Sequence, residues 1–235
     1  TLDGTLFPYT TLFRSLLDDD LPKITLSQSV TSFGEEGGTN TIIATLDNTY
    51  SEDAVITIGI NASSTADETD DFTLSSTTIT ISAGNTTGTA TLTGISDNIV
   101  EDDESIIVDI LSVTNAIEQT PQQVSSTITD DDVAELSIAA TTQAAEDATD
   151  GLFTITTTKQ FDAPVTVTFA RTGTATSATD FTAIGTTVVF PALSNTVTIP
   201  VEVIADNIVE SDETVIVTMT ATSNADVSVA ASPNE

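Results

Sequence analysis

The chain has 235 residues and a formal net charge of −32, from 36 acidic and 4 basic residues. Repulsion between this charge and phosphate groups excludes nucleic acid as a partner and disfavours an anionic membrane surface. The lack of Cys and His excludes disulfides, zinc sites, thiol nucleophiles and imidazole bases. With no Trp and two Tyr, the aromatic platforms of a sugar-cleaving cleft are missing as well, so we expect no enzyme activity. Self-repulsion on this scale favours a protein that takes up divalent cations.

The first fifteen residues, 1–15, do not match the rest of the chain and lack the basic-then-apolar order of a secretory signal. Their sequence, TLDGTLFPYTTLFRS, resembles a translated sequencing adapter, and we exclude it from the fold prediction. No run approaches the roughly 18 apolar residues that a membrane helix needs, so we expect no membrane insertion of this chain.

Short alternating runs of Thr, Val, Ile and Ala, separated by clusters of Asp, Asn, Gly and Ser, predict strands and turns without a long helix. In the first half the predicted strands are residues 24–29, 41–46, 54–60, 77–81, 87–93, 105–111 and 124–128. In the second half they are residues 135–140, 152–157, 165–170, 187–190, 196–203, 214–220 and 227–231. Seven strands per half predict an all-β fold of two tandem immunoglobulin-like seven-stranded β-sandwiches.

An internal repeat divides the chain into two domains. The octapeptide DNIVEDDE at residues 97–104 returns as DNIVESDE at residues 206–213, an offset of 109 residues. Both copies place carboxylates at the first, fifth and eighth positions, a spacing that suits a cation-binding loop better than a catalytic one. We assign residues 16–22 to the end of a preceding repeat, residues 23–132 to repeat 1 and residues 133–235 to repeat 2.

The acidic loops of repeat 1 are expected to meet at one pole of the sandwich. If the strands run alternately up and down, the connections after strands one, three and five and the exit from strand seven all lie at the same end. These places hold Glu35 and Glu36, Asp71, the loop at residues 97–104, and Asp130, Asp131 and Asp132. A solvated acidic face would account for any single cluster, but the convergence of four favours a metal site. An all-oxygen shell without imidazole or thiolate favours calcium over magnesium.

Four motifs mark the repeats, and two of them occur in both copies. They are an early Glu followed by Gly (Glu35 with Gly38), an A-x-x-x-x-D-F segment at residues 66–72 and 175–181, the D-x-I-x-E-x-x-E loop, and a closing Asp triplet in repeat 1. With these motifs, both repeats resemble the Calx-beta domain, a module of sodium/calcium exchangers, integrin β4 and many bacterial surface proteins. The resemblance covers the chain from about Asp18 to the C-terminus.

The resemblance implies calcium ligands at the early Glu, at the Asp before the Phe, in the loop, where the Ile acts through its carbonyl, and at the closing triplet. In repeat 1 these are Glu35, Asp71, Asp97, Ile99, Glu101, Glu104, Asp130, Asp131 and Asp132. In repeat 2 they are Glu146, Asp180, Asp206, Ile208, Glu210 and Glu213. Outside this set, we expect Phe72 and Phe181 to fill the core, Arg171 to be a surface residue, and Asp102, Asp103 and Asp212 to face solvent.

Repeat 2 departs from repeat 1 in three respects. Leu193 stands where repeat 1 has the turn-forming Gly84, and the early acidic segment around Glu146 is longer. A closing triplet in repeat 2 would fall near position 239, beyond the last residue. At the other end, Asp18, Asp19 and Asp20 resemble the triplet of a preceding repeat. We therefore expect the chain to be a fragment.

The leading hypothesis is a calcium-binding structural module of a repetitive surface or secreted protein, in which metal at the interdomain pole stiffens the array for adhesion. Its expected partners are calcium ions, neighbouring repeats and a protein or matrix partner, and its expected location is extracellular or at the cell surface. One alternative is a calcium-sensing regulatory pair of a membrane transporter or signalling protein. Another is a pair of degenerate repeats that only space other domains or bind a protein.

Overall fold

A computed structural model describes residues 20–146 and 149–231, and these residues form strands, turns and loops without a helix. The adapter-like segment, Asp18 and Asp19 lie outside the described residues. Within the described ranges there is therefore no helix long and apolar enough to span a bilayer. The predicted all-β class is confirmed.

Repeat 1 consists of two sheets that enclose one core. Its strands are β1 (Ile24–Gln28), β2 (Ser32–Gly34), β3 (Thr39–Leu46), β4 (Ala54–Ile60), β5 (Phe72–Leu74), β6 (Thr78–Ile81), β7 (Thr87–Gly94), β8 (Ile99–Val100), β9 (Glu104–Thr114) and β10 (Gln123–Thr129). One sheet has the order β1-β3-β7-β5 and the other the order β2-β10-β9-β4-β6. All pairs within these two sheets are antiparallel except β2 with β10.

The core of repeat 1 lies between the sheets because its strands alternate apolar and polar residues. In β3, Ile42, Ala44 and Leu46 are buried while the residues between them are partly exposed. Phe72 is fully buried in the same core, which confirms the role predicted for it. Truncating a fully buried residue such as Ile42 to Ala is expected to cost about 2–5 kcal/mol of unfolding free energy.

Repeat 2 also consists of two sheets. Its described strands are β11 (Ala134–Thr142), β12 (Gly151–Thr157), β13 (Gln160–Phe161), β14 (Val165–Gly173), β15 (Thr187–Phe190), β16 (Thr196–Val201), β17 (Val215–Thr222) and β18 (Val227–Val229). One sheet has the order β16-β12-β11-β18 and the other the order β15-β14-β17. The last described strand, β18, pairs in parallel with β11, whereas β10 of repeat 1 pairs with β9. The rings of Phe161 and Phe190 meet edge to face in its core, with centroids 5.3 Å apart.

A two-residue parallel ladder joins the repeats. β8 of repeat 1 pairs with β13 of repeat 2, so that Ile99 lies opposite Gln160 and Val100 opposite Phe161. The amide of Asp162 donates to the carbonyl of Val100 at 3.3 Å. Val100 is 0% exposed and belongs to the core of repeat 2, although it lies in the acidic loop of repeat 1. We call this contact the interdomain joint.

The same turn occurs in both repeats with different residues. Gly84 has φ 78° and its amide donates to the carbonyl of Tyr50, while Leu193 has φ 53° and its amide donates to the carbonyl of Phe161. The left-handed conformation suits Gly and disfavours a residue with a Cβ. Repeat 2 therefore keeps the turn geometry despite the substitution, and Phe161 occupies the position of Tyr50.

Candidate metal centre

Tightly packed glycines place Glu35 at the pole of repeat 1. The amide of Glu35 donates to the carbonyl of Thr129 at 3.1 Å, which ties the early loop to the end of β10. A Cβ at Gly38 would lie 2.3 Å from the Gly34 carbonyl oxygen, and a Cβ at Gly94 would lie 2.6 Å from Glu35 Cα. Only Gly fits these two positions without a shift of the backbone. Glu35 is consequently only 5% exposed.

Backbone hydrogen bonds hold the acidic loop to the closing triplet. Asp97 Oδ1 accepts from the Ile99 amide at 2.7 Å, which forms the turn that leads into β8. Asp130 Oδ2 accepts from the Glu101 amide at 2.7 Å, and its Oδ1 accepts from the Asp132 amide at 2.8 Å. One carboxylate thus links the loop to the triplet.

Asp71 is fixed by the buried residue beside it and by its own turn. Phe72 anchors the segment in the core, Asp71 Oδ2 accepts from the Asp67 amide at 2.5 Å, and the carbonyl of Asp71 accepts from the Ile95 amide at 2.8 Å. The side chain of Glu104 shares a hydrogen bond with Asp71. The loop between β4 and β5 therefore reaches the acidic loop.

The structure brings five of the eight predicted carboxylates of repeat 1 together in two overlapping sets, and Asp71, Glu101 and Glu104 belong to neither set. Ligand oxygens of Glu35, Asp130 and Asp131 lie within 4.8 Å of one another, and so do those of Glu35, Asp97 and Asp132. Glu35 belongs to both sets. Asp102 and Asp103 are exposed, as the sequence predicts.

Burial and crowding of like charges raise the affinity of these groups for protons. Burial, followed by repulsion from Asp130 and Asp97, raises the pKa of Glu35 to about 7. Burial and repulsion from Asp71 raise the pKa of Glu101 to about 7. Burial and the hydrogen bond with Asp71 raise the pKa of Glu104 to about 8. Each ionised carboxylate in this cluster thus makes the ionisation of its neighbours less favourable.

Two residues of repeat 2 reach this cluster, and sequence reasoning missed both. Lys159 forms an ion pair with Asp132 Oδ1, and this hydrogen bond raises the pKa of Lys159. Asp162 contributes to the repulsion on Glu101 and Glu104. The other oxygen of Asp132, Oδ2, is buried and has no hydrogen-bond partner among the described residues.

The corresponding residues of repeat 2 adopt similar local turns without forming a compact cluster. Asp180 Oδ2 accepts from the Thr176 amide at 2.5 Å, and Asp206 Oδ1 accepts from the Ile208 amide at 2.6 Å. A hydrogen bond with Asp180 raises the pKa of Glu213, and partial desolvation and nearby carboxylates, including that of Glu146, raise the pKa of Glu210. Among the described residues, no three carboxylates of repeat 2 have oxygens that lie within 4.8 Å of one another.

The remaining predictions concern single residues of repeat 2. Phe181 is buried as expected, and Asp212 is exposed. Arg171 lies at the surface, where its guanidinium carbon is 5.3 Å from the centroid of the Phe181 ring and one of its nitrogens donates to the Ile184 carbonyl. These contacts indicate that Arg171 serves local packing and is not one of the groups that form the acidic cluster.

Two immunoglobulin-like sandwiches in tandem, with an acidic cluster of oxygen donors where they meet, define the class of this protein. The model of the Calx-beta domain family matches residues 18–132 and 133–235, and the chain belongs to this family.

Three solved structures of low sequence identity are similar to the chain. CBD12 from CALX1.2 is 15% identical, with a TM-score of 0.42 over 77% of this chain and 74% of that chain. The calcium binding domain CBD12 of CALX1.1 is 16% identical, with a TM-score of 0.41 over 83% of this chain and 80% of that one. The apo form of the Calx CBD1 domain is 16% identical, with a TM-score of 0.41, and its full length matches 48% of this chain. None of the curated proteins compared with the chain matches it.

Proposed function

We propose that the chain is a calcium-binding structural module of a surface or secreted protein, in which metal at the interdomain pole stiffens an array of repeats for adhesion. The proposal rests on the different surroundings of the two carboxylate oxygens of Asp132. One of its oxygens pairs with Lys159 of the next repeat, and the other is buried with no hydrogen-bond partner in the described part of the chain. An unsatisfied buried carboxylate oxygen is costly, and a bound cation would satisfy it.

Calcium fits the donor set better than other metals. The candidate ligands of repeat 1 are carboxylates from four separate segments, together with the carbonyl of Ile99 that the family resemblance implies. Calcium accepts six to eight oxygens in flexible geometry, whereas magnesium requires a small octahedron and retains several waters. A divalent ion would also offset the repulsion that raises the pKa values of Glu35, Glu101 and Glu104.

Stiffening follows from the overlap between the candidate site and the interdomain joint. Residues 97–104 carry candidate ligands, and the same loop carries Val100, which lies in the core of repeat 2. The triplet is separated from β11 by Val133 alone. An ion that binds both the loop and the triplet would therefore hold both connections between the repeats in place.

The second candidate, a calcium-sensing regulatory pair, is favoured by one observation. Lys159 supplies an internal cation to Asp132, so that two positively charged partners, the ammonium group and a metal ion, compete for one carboxylate. Calcium would displace Lys159 and change the contacts of repeat 2 with repeat 1. In this case calcium switches the pair between two interdomain angles.

Thermal unfolding tests the shared premise of both candidates. The full chain should melt at a higher temperature in millimolar calcium than in EDTA, because binding to the native state adds about 2.7 kcal/mol at a hundredfold excess over Kd. Asp132→Asn should reduce this shift, and Asp103→Asn, a matched change at an exposed residue, should leave it unchanged. No shift in the unaltered chain would contradict calcium binding.

A distance measurement separates the two candidates. The chain has no Cys, so one engineered Cys in each repeat can carry a spin label at a chosen exposed position. If the chain is a structural module, calcium should narrow the distribution of distances between the two labels. A regulatory pair predicts two distinct mean distances, one with calcium and one without.

A further inference from the structure

The short strand β5, which closes one side of repeat 1, has no counterpart strand in repeat 2, where the corresponding segment is described in full. In repeat 1, the Thr91 amide of β7 donates to Ser75 Oγ at 2.8 Å, and the Thr91 carbonyl accepts from the Ser75 amide at 2.9 Å. The 109-residue offset places Pro200 of β16 where repeat 1 has Thr91. Because Pro has no amide hydrogen, it cannot donate the first of these bonds. The hydrogen bonds along this edge of β16 stop at Glu202, whose carbonyl accepts from the Thr182 amide at 2.8 Å.

Smaller side chains leave a cavity beside this edge. Ala183 stands at the position of Leu74, which packs against the core of repeat 1. Val188 is half-buried and stands at the position of Ile79, which is 1% exposed. The cavity has a volume of about 290 Å³, and several of its lining residues are exposed, so it is open to solvent. Its apolar lining consists of Phe169, Ala183, Ile184, Val188, Ile199 and Pro200.

The polar groups at the cavity favour a ligand that donates hydrogen bonds. Glu202 belongs to the lining, and its carboxylate forms no ion pair within the described residues. The amide and carbonyl of one residue in an antiparallel strand point to the same side, so the Pro200 carbonyl faces the gap as the Thr91 carbonyl faces Ser75. No amide of residues 183–186 donates to it. A carboxylate and a carbonyl thus lie beside an apolar space.

Neither basic residue of repeat 2 supplies the donor. Lys159 forms its ion pair with Asp132. Arg171 lies over the ring of Phe181 and donates to the carbonyl of Ile184, which holds the segment at the border of the cavity. The cation that would complement Glu202 must therefore come from outside the repeat.

We propose that this cavity binds a small amine with an apolar body. The apolar body would lie against Phe169 and Ile199, and the ammonium group would meet the Glu202 carboxylate and the Pro200 carbonyl. A water molecule takes about 30 Å³ of the liquid, so the cavity has room for about ten non-hydrogen atoms. The net charge of −32 attracts any cation, and the apolar walls select an amine with an apolar body over a metal ion.

The site goes beyond the proposed calcium function, because none of its lining residues is a candidate metal ligand. Binding should therefore persist in millimolar calcium, which competes with the amine for the acidic loops. The probe is 2-phenylethylamine, and nuclear magnetic resonance of the full chain follows its titration. The amine should shift the amide signals of Ala183, Val188 and Ile199 to saturation. The neutral analogue 2-phenylethanol, which has the same shape, should bind about tenfold or more weakly, because it loses the charge-assisted hydrogen bond.

Two substitutions test the cavity and the carboxylate separately. Ala183→Leu restores the residue of repeat 1 and should fill the cavity, so that the affinity for the amine falls about tenfold or more while the melting temperature stays the same or rises. Glu202→Gln should weaken the amine about tenfold and leave 2-phenylethanol unchanged. Glu135→Gln, at another exposed carboxylate of repeat 2, is the matched control and should affect neither compound.

Three results would overturn the proposal. The first is an unchanged affinity of the amine for Ala183→Leu. The second is a set of signal shifts confined to the acidic loops at residues 97–104 and 206–213. The third is an equal loss of affinity in Glu202→Gln and Glu135→Gln, which would show a general attraction of the acidic surface for amines.

Discussion

Lys159 of repeat 2 forms an ion pair with Asp132 of repeat 1, and the Asp132 side chain is only 12% exposed. The pair places a cation from one repeat in the acidic cluster of the other. Partly exposed ion pairs contribute only about 0–1 kcal/mol, so Lys159 alone offsets little of the repulsion among the surrounding carboxylates. The acidic pole is thus both the candidate metal site and a contact between the repeats.

In EDTA, the stability of the chain should fall as the pH rises from about 5 to about 8. The folded-state pKa values of Glu35 and Glu101 are about 7 and that of Glu104 is about 8, above the ordinary value of 4.5. In this interval the folded chain binds more protons than the unfolded chain, so the free energy of unfolding decreases with pH. Thermal melts at several pH values measure the slope.

Calcium should weaken this pH dependence, because it binds the ionised carboxylates. Glu104→Gln should reduce the slope in EDTA, while Glu68→Gln, at an exposed residue outside the candidate ligand set, should preserve it. A melting temperature in EDTA that is constant or rises over the interval would contradict the crowding of ionised groups.

Repeat 1 should bind calcium more tightly than repeat 2 in this chain. Carboxylates from three segments meet in repeat 1, whereas the candidate ligands of repeat 2, which are exposed except for the half-buried Asp180, do not form a compact cluster among the described residues. Isothermal titration of Glu101→Gln should show loss of the tighter sites, and Glu210→Gln should leave them intact. The reverse assignment would show that the ranking is wrong.

Val100→Ala should weaken the interdomain joint. The residue is fully buried in the core of repeat 2, so loss of two methyl groups is expected to cost roughly 2 kcal/mol. Val209 holds the same position in the second loop but is 98% exposed, so Val209→Ala should change stability by less than about 0.5 kcal/mol. Urea unfolding of the two variants, monitored separately in repeat 1 and in repeat 2, measures the change in the free energy of unfolding. Equal effects would contradict the assignment of Val100 to the core of repeat 2.

The sequence predicted the strands and the acidic pole because both follow from regular patterns. Alternation located thirteen of the fourteen predicted strands, and strand direction placed Glu35 beside Asp130, about a hundred residues away in the chain. The strand predicted at residues 227–231 as the counterpart of residues 124–128 was wrong in its place, because β18 pairs with β11 in the other sheet. The joint was not predictable in this way, since a two-residue ladder such as β8 with β13 has no period. The contact of Lys159 with Asp132 depends on that joint and therefore could not be predicted either. The assignment of individual metal ligands remains a prediction.

Small-angle scattering of the full chain tests the central claim that calcium at the pole fixes the joint. The account predicts a narrower and more extended ensemble in calcium than in EDTA. Asp130→Asn combined with Asp131→Asn should abolish the difference, while Asp102→Asn combined with Asp103→Asn, an equal change of charge at exposed residues, should preserve it. Identical profiles with and without calcium, under conditions where titration shows binding, would contradict the claim and limit the metal to stabilising each repeat.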